Sequence, residues 1–207
     1  MRSAPSYPGA SGLWSGLKIG LLGGSFNPAH PGHRHISLMA MRRLGFDWVW
    51  WLVSPQNPLK PAAGMAPMAE RLASARRAAS HPRIYVSDLE TRLGTQYTAD
   101  TLRELKRYYP RARFVWLMGA DNLATFTKWQ NWQSIMRAVP IAVIDRPGYA
   151  LRALRGPAAR RFERYRLPQC KARRAPVSRP PAWVLLRGPR HSASATEIRQ
   201  RESRPGW

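Results

Sequence analysis

Short apolar runs alternate along the chain with segments whose apolar side chains recur every three or four residues. The runs are typical of strands buried on both faces, and they predict strands at Leu17–Leu22, Trp48–Val53, Ile84–Val86, Phe114–Met118 and Ile141–Ile144. The periodic segments predict amphipathic helices at His33–Leu44, Met68–Ser80 and Thr98 to about Tyr109. Strands alternating with helices predict an α/β fold, a Rossmann-like parallel sheet with helices on both faces.

The chain is expected to form one domain over residues 17–207, after a flexible leader of Ser, Gly and Pro at 1–16. The region 146–207 is basic, Pro-rich and less regular, with 16 of the 34 Lys and Arg residues. Four elements are expected in it, namely a basic helix at Ala153–Arg166, a turn-rich stretch at Lys171–Pro181, a last strand at Ala182–Leu186 and a short helix from Ser194 or Thr196.

Composition narrows the class of protein. Apolar residues make up 44% of the chain, which is enough for a sizeable core and excludes wholesale disorder. The single cysteine, Cys170, excludes a disulfide framework and a Cys-based zinc site, and it fits a reducing compartment. No apolar run approaches a membrane span, and the N-terminus has no apolar segment of signal-peptide type, so we expect a cytoplasmic protein without membrane contact.

The net charge of +23 indicates a polyanionic partner. A nucleic-acid-binding protein on an α/β scaffold is therefore one hypothesis, supported by the arginines within residues 152–174. The chain has no aromatic–basic RNA-recognition strand and no zinc-finger spacing, so nucleic acid is not the partner we expect first. Arginine outnumbers lysine 29 to 5, which indicates a composition bias more than a function.

The loop after the first strand carries the clearest chemistry. Residues Gly23–His33 read GGSFNPAHPGH. Two glycines allow a sharp turn that brings amide N–H groups close to a ligand. His30 and His33 stand at the entry to the first helix, where the free N–H groups and the helix dipole favour anions. The loop predicts a phosphate site; a metal site is the alternative, but no carboxylate lies near in sequence to complete it.

This loop resembles the phosphate-binding loop of the nucleotidyltransferases that carry an HxGH signature, here His30-Pro31-Gly32-His33. That superfamily also has a C-terminal signature of ISxTxxR type. In Ser192–Arg199, which reads SASATEIR, the three matching residues are Ser194, Thr196 and Arg199, while Ala193 departs at the leading apolar position. On their own, these residues predict either an anion site at a helix start or an ordinary helix cap.

Stretches between the two signatures narrow the resemblance. They are Pro55–Lys60 (PQNPLK), Gln96–Leu102 (QYTADTL), Gly119–Asn122 (GADN) with Trp129, and Asp145–Tyr149 (DRPGY). Together they look like bacterial nicotinate-nucleotide adenylyltransferases, over roughly Lys18 to Arg201. The match to pantetheine-phosphate adenylyltransferases is poorer, because those enzymes typically have Thr where this chain has His30.

Each smaller stretch also has a plain structural interpretation. Gly119 and Asp121 could cap a helix, and Thr98 could be a cap instead of a ligand contact. Trp129 could be a core residue, and Lys60 a solvated loop charge. Trp132 we interpret as core.

The resemblance implies adenylyl transfer from ATP to nicotinate mononucleotide, giving nicotinate adenine dinucleotide and pyrophosphate in NAD biosynthesis. It implies catalytic roles for His30, His33 and Arg199, and a Mg²⁺ ion that bridges the ATP phosphates without protein ligands. The other implied contacts with ATP and the acceptor are Gly23, Gly24, Ser25, Phe26, Lys60, Thr98, Gly119, Asp121, Trp129, Arg146, Ser194 and Thr196. A related enzyme using nicotinamide mononucleotide or phosphopantetheine remains the alternative.

Overall fold

The computed structural model describes residues 11–55, 64–146 and 148–188. Within them, seven parallel strands form one sheet in the order β3-β2-β1-β4-β5-β7-β6. The strands are β1 Lys18–Gly24, β2 Trp48–Val53, β3 Ile84–Ser87, β4 Arg113–Gly119, β5 Ile141–Ile144, β6 Arg166–Leu167 and β7 Trp183–Leu186. The five strands predicted up to residue 144 and the last strand are all present.

Helices cover both faces of the sheet. Among the described residues they are α1 Pro31–Leu44, α2 Met68–Ala79, α3 Leu89–Leu93, α4 Thr98–Tyr108, α5 Ala120–Ala124, α6 Trp132–Ala138, α7 Ala150–Arg155 and α8 Pro157–Arg161. One core layer is built with α4 to α8, and the other with α1, α2 and a 3-10 helix at Gln169–Val177. None of the helices described here is long and apolar enough to cross a membrane.

Successive side chains of a strand point to opposite faces of the sheet, so each strand contributes to both core layers. In β2, Trp50 and Leu52 belong to one layer, whereas Val49, Trp51 and Val53 belong to the other. All five are fully buried, which explains why the strand reads as an unbroken apolar run in the sequence.

The N-terminal prediction needs a correction at its inner end. Residues 11–16 were assigned to a flexible leader, but Ser11–Trp14 forms a 3-10 helix. Trp14 is 2% exposed and packs edge-on against Trp48 and Trp50, with ring centroids 5.4 and 4.9 Å away. A buried indole of this size ties the segment to the core. Residues 1–10 lie outside the described residues.

The C-terminal region is more regular than predicted. In place of one basic helix at 153–166 there are the two short helices α7 and α8, because Gly156 and Pro157 interrupt the pattern. The stretch expected to be turn-rich contains the 3-10 helix Gln169–Val177. Its alanines Ala172 and Ala175 are buried in the layer that contains α1.

The strand order places the candidate site. The chain runs outward from β1 to β2 and β3 on one side, and from β4 to β5 on the other, so the order reverses between β1 and β4. The strands end at nearly the same level: Gly24 pairs with Val53, and Gly119 with Ile144. The loops after these strands therefore share one edge, at the crevice where open α/β sheets bind ligands.

Candidate active site

The two glycines that end β1 have different surroundings. A Cβ on Gly23 would lie 2.5 Å from the Trp116 ring. The side chain of Trp116, on β4, therefore leaves no room for a residue larger than glycine at this position. A Cβ on Gly24 would meet only the Phe26 ring, at an ordinary 3.6 Å. Gly24 is thus the glycine whose missing side chain leaves space at the sheet edge, whereas Gly23 is required by packing.

The two histidines of the loop form a reciprocal cap on α1. His30 is the N-cap, and its Nδ1 accepts from the N–H of Gly32 at 3.2 Å. The Nδ1 of His33 accepts from the N–H of His30, also at 3.2 Å. The two rings lie 3.9 Å apart between centroids, and His30 is only 7% exposed. Imidazoles here do what Ser and Glu do in an ordinary capping box.

This cap fixes which nitrogen carries the proton. A neutral imidazole has one donor and one acceptor nitrogen. Because Nδ1 accepts a backbone N–H in both His30 and His33, the proton of each neutral ring is on Nε2. The loop therefore presents two imidazole N–H donors beside the start of a fourteen-residue helix. Such an arrangement can stabilise negative charge that develops on a phosphoryl group.

Aromatic side chains pack near the His33 ring. Phe26 is buried, stacks on Trp51 at 5.1 Å and lies 4.8 Å from the His33 ring. The indole N–H of Trp51 donates to the Ser37 hydroxyl at 2.8 Å, and that hydroxyl donates to the His33 carbonyl at 2.8 Å. Phe26 has φ +48, in the left-handed region that bulky residues rarely adopt, and this packing holds it there.

The loop after β4 provides the other side of the crevice. Gly119 ends β4, and a Cβ on it would overlap the Asp121 carboxylate and lie 3.0 Å from Nε of Arg146. Arg146 pairs with Asp121 through NH1 and Oδ2 at 3.3 Å, with side chains 52% and 30% exposed. The other carboxylate oxygen, Oδ1, is buried without a hydrogen-bond partner among the described residues. The structure thus brings together three of the predicted positions.

Two further predicted contacts have clear positions. Thr98 is the first residue of α4, and Tyr97 precedes it as the N-cap, so Thr98 is not the cap that one interpretation suggested. Trp129 is partly buried and packs edge-on against Trp116, at 6.5 Å, and Phe126, at 5.3 Å. Trp116 is also the ring that lies against Gly23, so one side chain separates Trp129 from the end of β1.

Four predicted contacts lie outside the described residues: Lys60, Ser194, Thr196 and Arg199. In the described part of the chain, no group of three or more His, Cys, Asp and Glu side chains could hold a metal ion.

Sequence reasoning missed the residues that hold the loop from α2. Arg71 is 3% exposed and donates to backbone carbonyls in the loops after β1 and β2 and in the segment before α2. Ser74 accepts from the N–H of Ala29 at 3.1 Å. The sequence does contain a signal that Arg71 is buried. Ala75 and Ala79 follow it by four and eight residues, on the same face of the helix, and both are buried. An arginine on the buried stripe of a helix needs internal acceptors.

A second missed group is Glu90, which follows β3. It is 4% exposed, and burial raises its pKa to about 7. The Thr101 hydroxyl donates to its Oε1 at 3.2 Å and lies 2.9 Å from the Thr95 hydroxyl. The Glu90 carbonyl also accepts from the Thr95 N–H at 3.0 Å. This cluster fixes the turn that leads to Thr98.

The chain is similar to known proteins in sequence and in fold. A profile of the cytidylyltransferase-like family matches residues 21–201. A relative from Parvibaculum lavamentivorans, named "Probable nicotinate-nucleotide adenylyltransferase", is 55% identical over 195 residues, which cover 94% of this chain and 96% of the relative. A relative of the same name from Caulobacter sp. (strain K31) is 54% identical over 188 residues, covering 91% of this chain and 100% of the relative.

Solved structures agree on the fold. The nicotinic acid mononucleotide adenylyltransferase of Plasmodium falciparum complexed with NaAD is similar with a TM-score of 0.66 at 18% identity, over 88% of this chain and 82% of that chain. This likeness confirms the predicted α/β fold. The family profile and the relatives, matched over nearly their whole lengths, establish the closer relationship. The chain belongs to the nicotinate-nucleotide adenylyltransferases of the cytidylyltransferase-like family.

Proposed function

We propose that this chain transfers the adenylyl group of ATP to nicotinate mononucleotide. An oxygen of the acceptor phosphate forms a bond to the α-phosphorus of ATP in line with the bond that breaks. Pyrophosphate leaves with that bonding pair, and nicotinate adenine dinucleotide is the product. No protein nucleophile is needed, because the acceptor phosphate is already one, so the protein's task is positioning and charge stabilisation.

The observation that carries the proposal is the reciprocal histidine cap. With both Nδ1 atoms engaged by backbone N–H groups, His30 and His33 present Nε2–H donors to the triphosphate. These donors are held before the substrate arrives, which is what makes electrostatic stabilisation of a transition state effective. Gly24, Ser25 and Phe26 add backbone contacts with the nucleotides, at the edge where Gly24 leaves space.

The remaining roles divide between the two substrates. Gly119 and Asp121 face the adenosine, with Asp121 near the ribose. Thr98 and Trp129 line the nicotinate pocket, where an aromatic face stacks on the pyridine ring, and Arg146 neighbours it. Lys60 neutralises phosphate charge, and Ser194, Thr196 and Arg199 bind the β- and γ-phosphates.

ATP enters as its Mg²⁺ complex, in which the metal is part of the substrate. Mg²⁺ prefers oxygen ligands and keeps several waters, so phosphate oxygens and water suffice to hold it. It supplies charge neutralisation at the phosphate oxygens.

Pyrophosphate release from ATP, measured with and without nicotinate mononucleotide, tests the proposal. Release is expected only with this acceptor, together with nicotinate adenine dinucleotide as product, and an excess of EDTA should abolish it. Parallel reactions with nicotinamide mononucleotide and phosphopantetheine define the acceptor. Release with either of these and none with nicotinate mononucleotide would show that the acceptor is misassigned.

A further inference from the structure

One buried guanidinium joins the ends of two neighbouring strands. Arg71 lies in the first turn of α2, and its NH1 donates to the carbonyls of Ser25, at 2.8 Å, and Ser54, at 2.7 Å. Its NH2 donates to the Pro55 carbonyl at 3.0 Å, and its Nε to the Ala66 carbonyl at 2.9 Å. Ser25 follows β1 and Ser54 follows β2, so a single side chain fixes the spacing of two loops at the candidate site.

This cation has no carboxylate beside it in the described part of the chain. Burial lowers the pKa of Arg71 from its ordinary value, because removal from water disfavours the charged form. An arginine nevertheless keeps its proton at neutral pH. Its positive charge therefore lies next to the loop after β1, and an anionic substrate bound at that loop would balance it.

The hydrogen bond to Ser25 also orients the next amide. In a trans peptide the carbonyl and the N–H of one unit point in opposite directions. With the Ser25 carbonyl directed at Arg71, the N–H of Phe26 points away from α2. That N–H has no acceptor among the described residues, although Phe26 is 2% exposed. Buried backbone N–H groups are nearly always hydrogen-bonded in native proteins, so a phosphate oxygen is a suitable acceptor for this one.

We propose that Arg71 is a positioning residue of the adenylyl transfer, which holds the Ser25 and Ser54 carbonyls so that the Phe26 N–H donates to a nucleotide phosphate. The catalytic part of this proposal rests on the proposed function. Its geometric part, in which Arg71 directs the Phe26 N–H toward a phosphate, requires only that the chain binds a nucleotide. Lysine cannot replace this arginine, because one ammonium cannot reproduce the planar fork that reaches four carbonyls.

The matched substitutions are Arg71→Lys and Arg77→Lys, since Arg77 lies on the same helix and is exposed. For Arg71→Lys we expect kcat to fall by about 10² or more, as on loss of a preorganised donor, with ATP binding weakened but at full stoichiometry. Arg77→Lys should retain wild-type kcat and ATP affinity. A merely structural role predicts a different pattern, in which binding stoichiometry falls with the folded fraction while kcat per binding site stays normal.

Addition of guanidinium ion to Arg71→Ala provides a second readout. Recovery of kcat at millimolar guanidinium, with none in Arg77→Ala, supports the positioning role. Wild-type kcat and ATP affinity in Arg71→Lys would overturn the proposal. If wild-type protein releases no pyrophosphate with any acceptor, the proposed function fails separately, and ATP affinity of the Arg71 variants still decides the positioning role.

A measurement on the unmodified protein covers the case in which every Arg71 variant is unfolded. Amide hydrogen exchange of Phe26, followed by NMR, should slow by about tenfold or more when ATP is added, because a phosphate oxygen then occupies the donor. The amide of Leu105, in the core of α4, serves as the reference and should be unaffected. Unchanged exchange at Phe26 with ATP bound would exclude this amide as a phosphate donor and overturn the proposal.

Discussion

The two halves of the candidate site are held in different ways. The β1–β3 half, formed by the loops after β1, β2 and β3, depends on the buried residues His30, Arg71 and Glu90, all bonded to backbone or hydroxyl groups. In the β4–β5 half, formed by the loops after β4 and β5, the ion pair that the described residues show is the half-exposed Asp121–Arg146. Buried hydrogen bonds fix geometry, whereas exposed ion pairs contribute little and rearrange easily. A fixed arrangement of hydrogen-bonding groups suits the phosphates that react. A side of the site that can rearrange suits a nucleoside that must bind and then leave.

The largest effect should follow from breaking the histidine pair. His33→Ala is expected to lower turnover by about 10² or more, because it removes the donor proposed to stabilise the transition state. The substitution also removes the acceptor for the His30 N–H and so weakens the cap on α1 by about 1 kcal/mol. Turnover from steady-state pyrophosphate release, and the free energy of unfolding from urea titration, measure the two effects.

His33→Gln separates chemistry from capping. A glutamine at this position can accept from the His30 N–H, as in an ordinary capping box, but it has no imidazole. We expect this variant to recover stability without recovering turnover. Arg42→Ala, at an exposed position of the same helix, is the control and should be close to wild type in both. Near-normal turnover in His33→Ala would contradict the role assigned to the imidazole.

The next effect concerns Glu90 and depends on pH. Since its folded pKa is about 7 and its ordinary value 4.5, the folded protein binds a proton that the unfolded chain releases between these values. Stability should therefore fall as pH rises from about 4.5 to 7, and then level off. Glu90→Gln, which mimics the neutral acid, should be more stable than wild type above pH 7 by up to about 3 kcal/mol, and similar to it near pH 4.5.

Urea unfolding of both proteins at pH 5, 6, 7 and 8 measures this difference. Asp100→Asn is a suitable control, because Asp100 forms an ion pair with Arg103 on the surface of α4. It should not reproduce the widening gap between pH 5 and 7. A constant difference between wild type and Glu90→Gln across this range would mean that Glu90 titrates equally in the folded and unfolded chains.

A smaller effect should distinguish the two glycines of the β1–β3 half. Gly23→Ala forces a methyl group into the Trp116 ring and should destabilise the fold by about 1–3 kcal/mol. Gly24→Ala meets only ordinary contacts, so its free energy of unfolding should stay within about 0.5 kcal/mol of wild type. If Gly24 leaves space for the nucleotide, the second variant still raises KM for ATP. Equal loss of stability in both variants would contradict this division of roles.

Much of this fold is predictable from the sequence because its strands are buried on both faces. Runs such as Trp48–Val53 and Ile141–Ile144 contain no polar residue and match β2 and β5 to the residue. The N-terminal segment and the basic region were harder to predict. Trp14 and Ala172 belong to the core only through long-range packing, which no local period reveals.

The candidate site was predicted unevenly for a similar reason. His30 and His33 are adjacent to a glycine-rich turn, so their signal is local and their position at the start of α1 is as expected. Arg71 reaches Ser25 across 46 positions of the chain, and its acceptors are backbone carbonyls that any residue type supplies. A sequence pattern cannot identify partners of that kind; only the unusual place of a charge on a buried stripe points to them.

The smallest effect should come from the β4–β5 half. Arg146→Ala removes an ion pair whose side chains are 52% and 30% exposed, so stability should change by no more than about 1 kcal/mol. If this half adjusts to the substrates, KM for ATP and KM for nicotinate mononucleotide rise by about tenfold at most while kcat stays close to wild type, since the pair contributes to binding and not to the transition state. A double-mutant cycle with Asp121→Asn measures the coupling directly. A coupling energy of about 2 kcal/mol or more, or a loss of kcat like that of His33→Ala, would show that this half is as fixed as the other and would remove the distinction drawn between them.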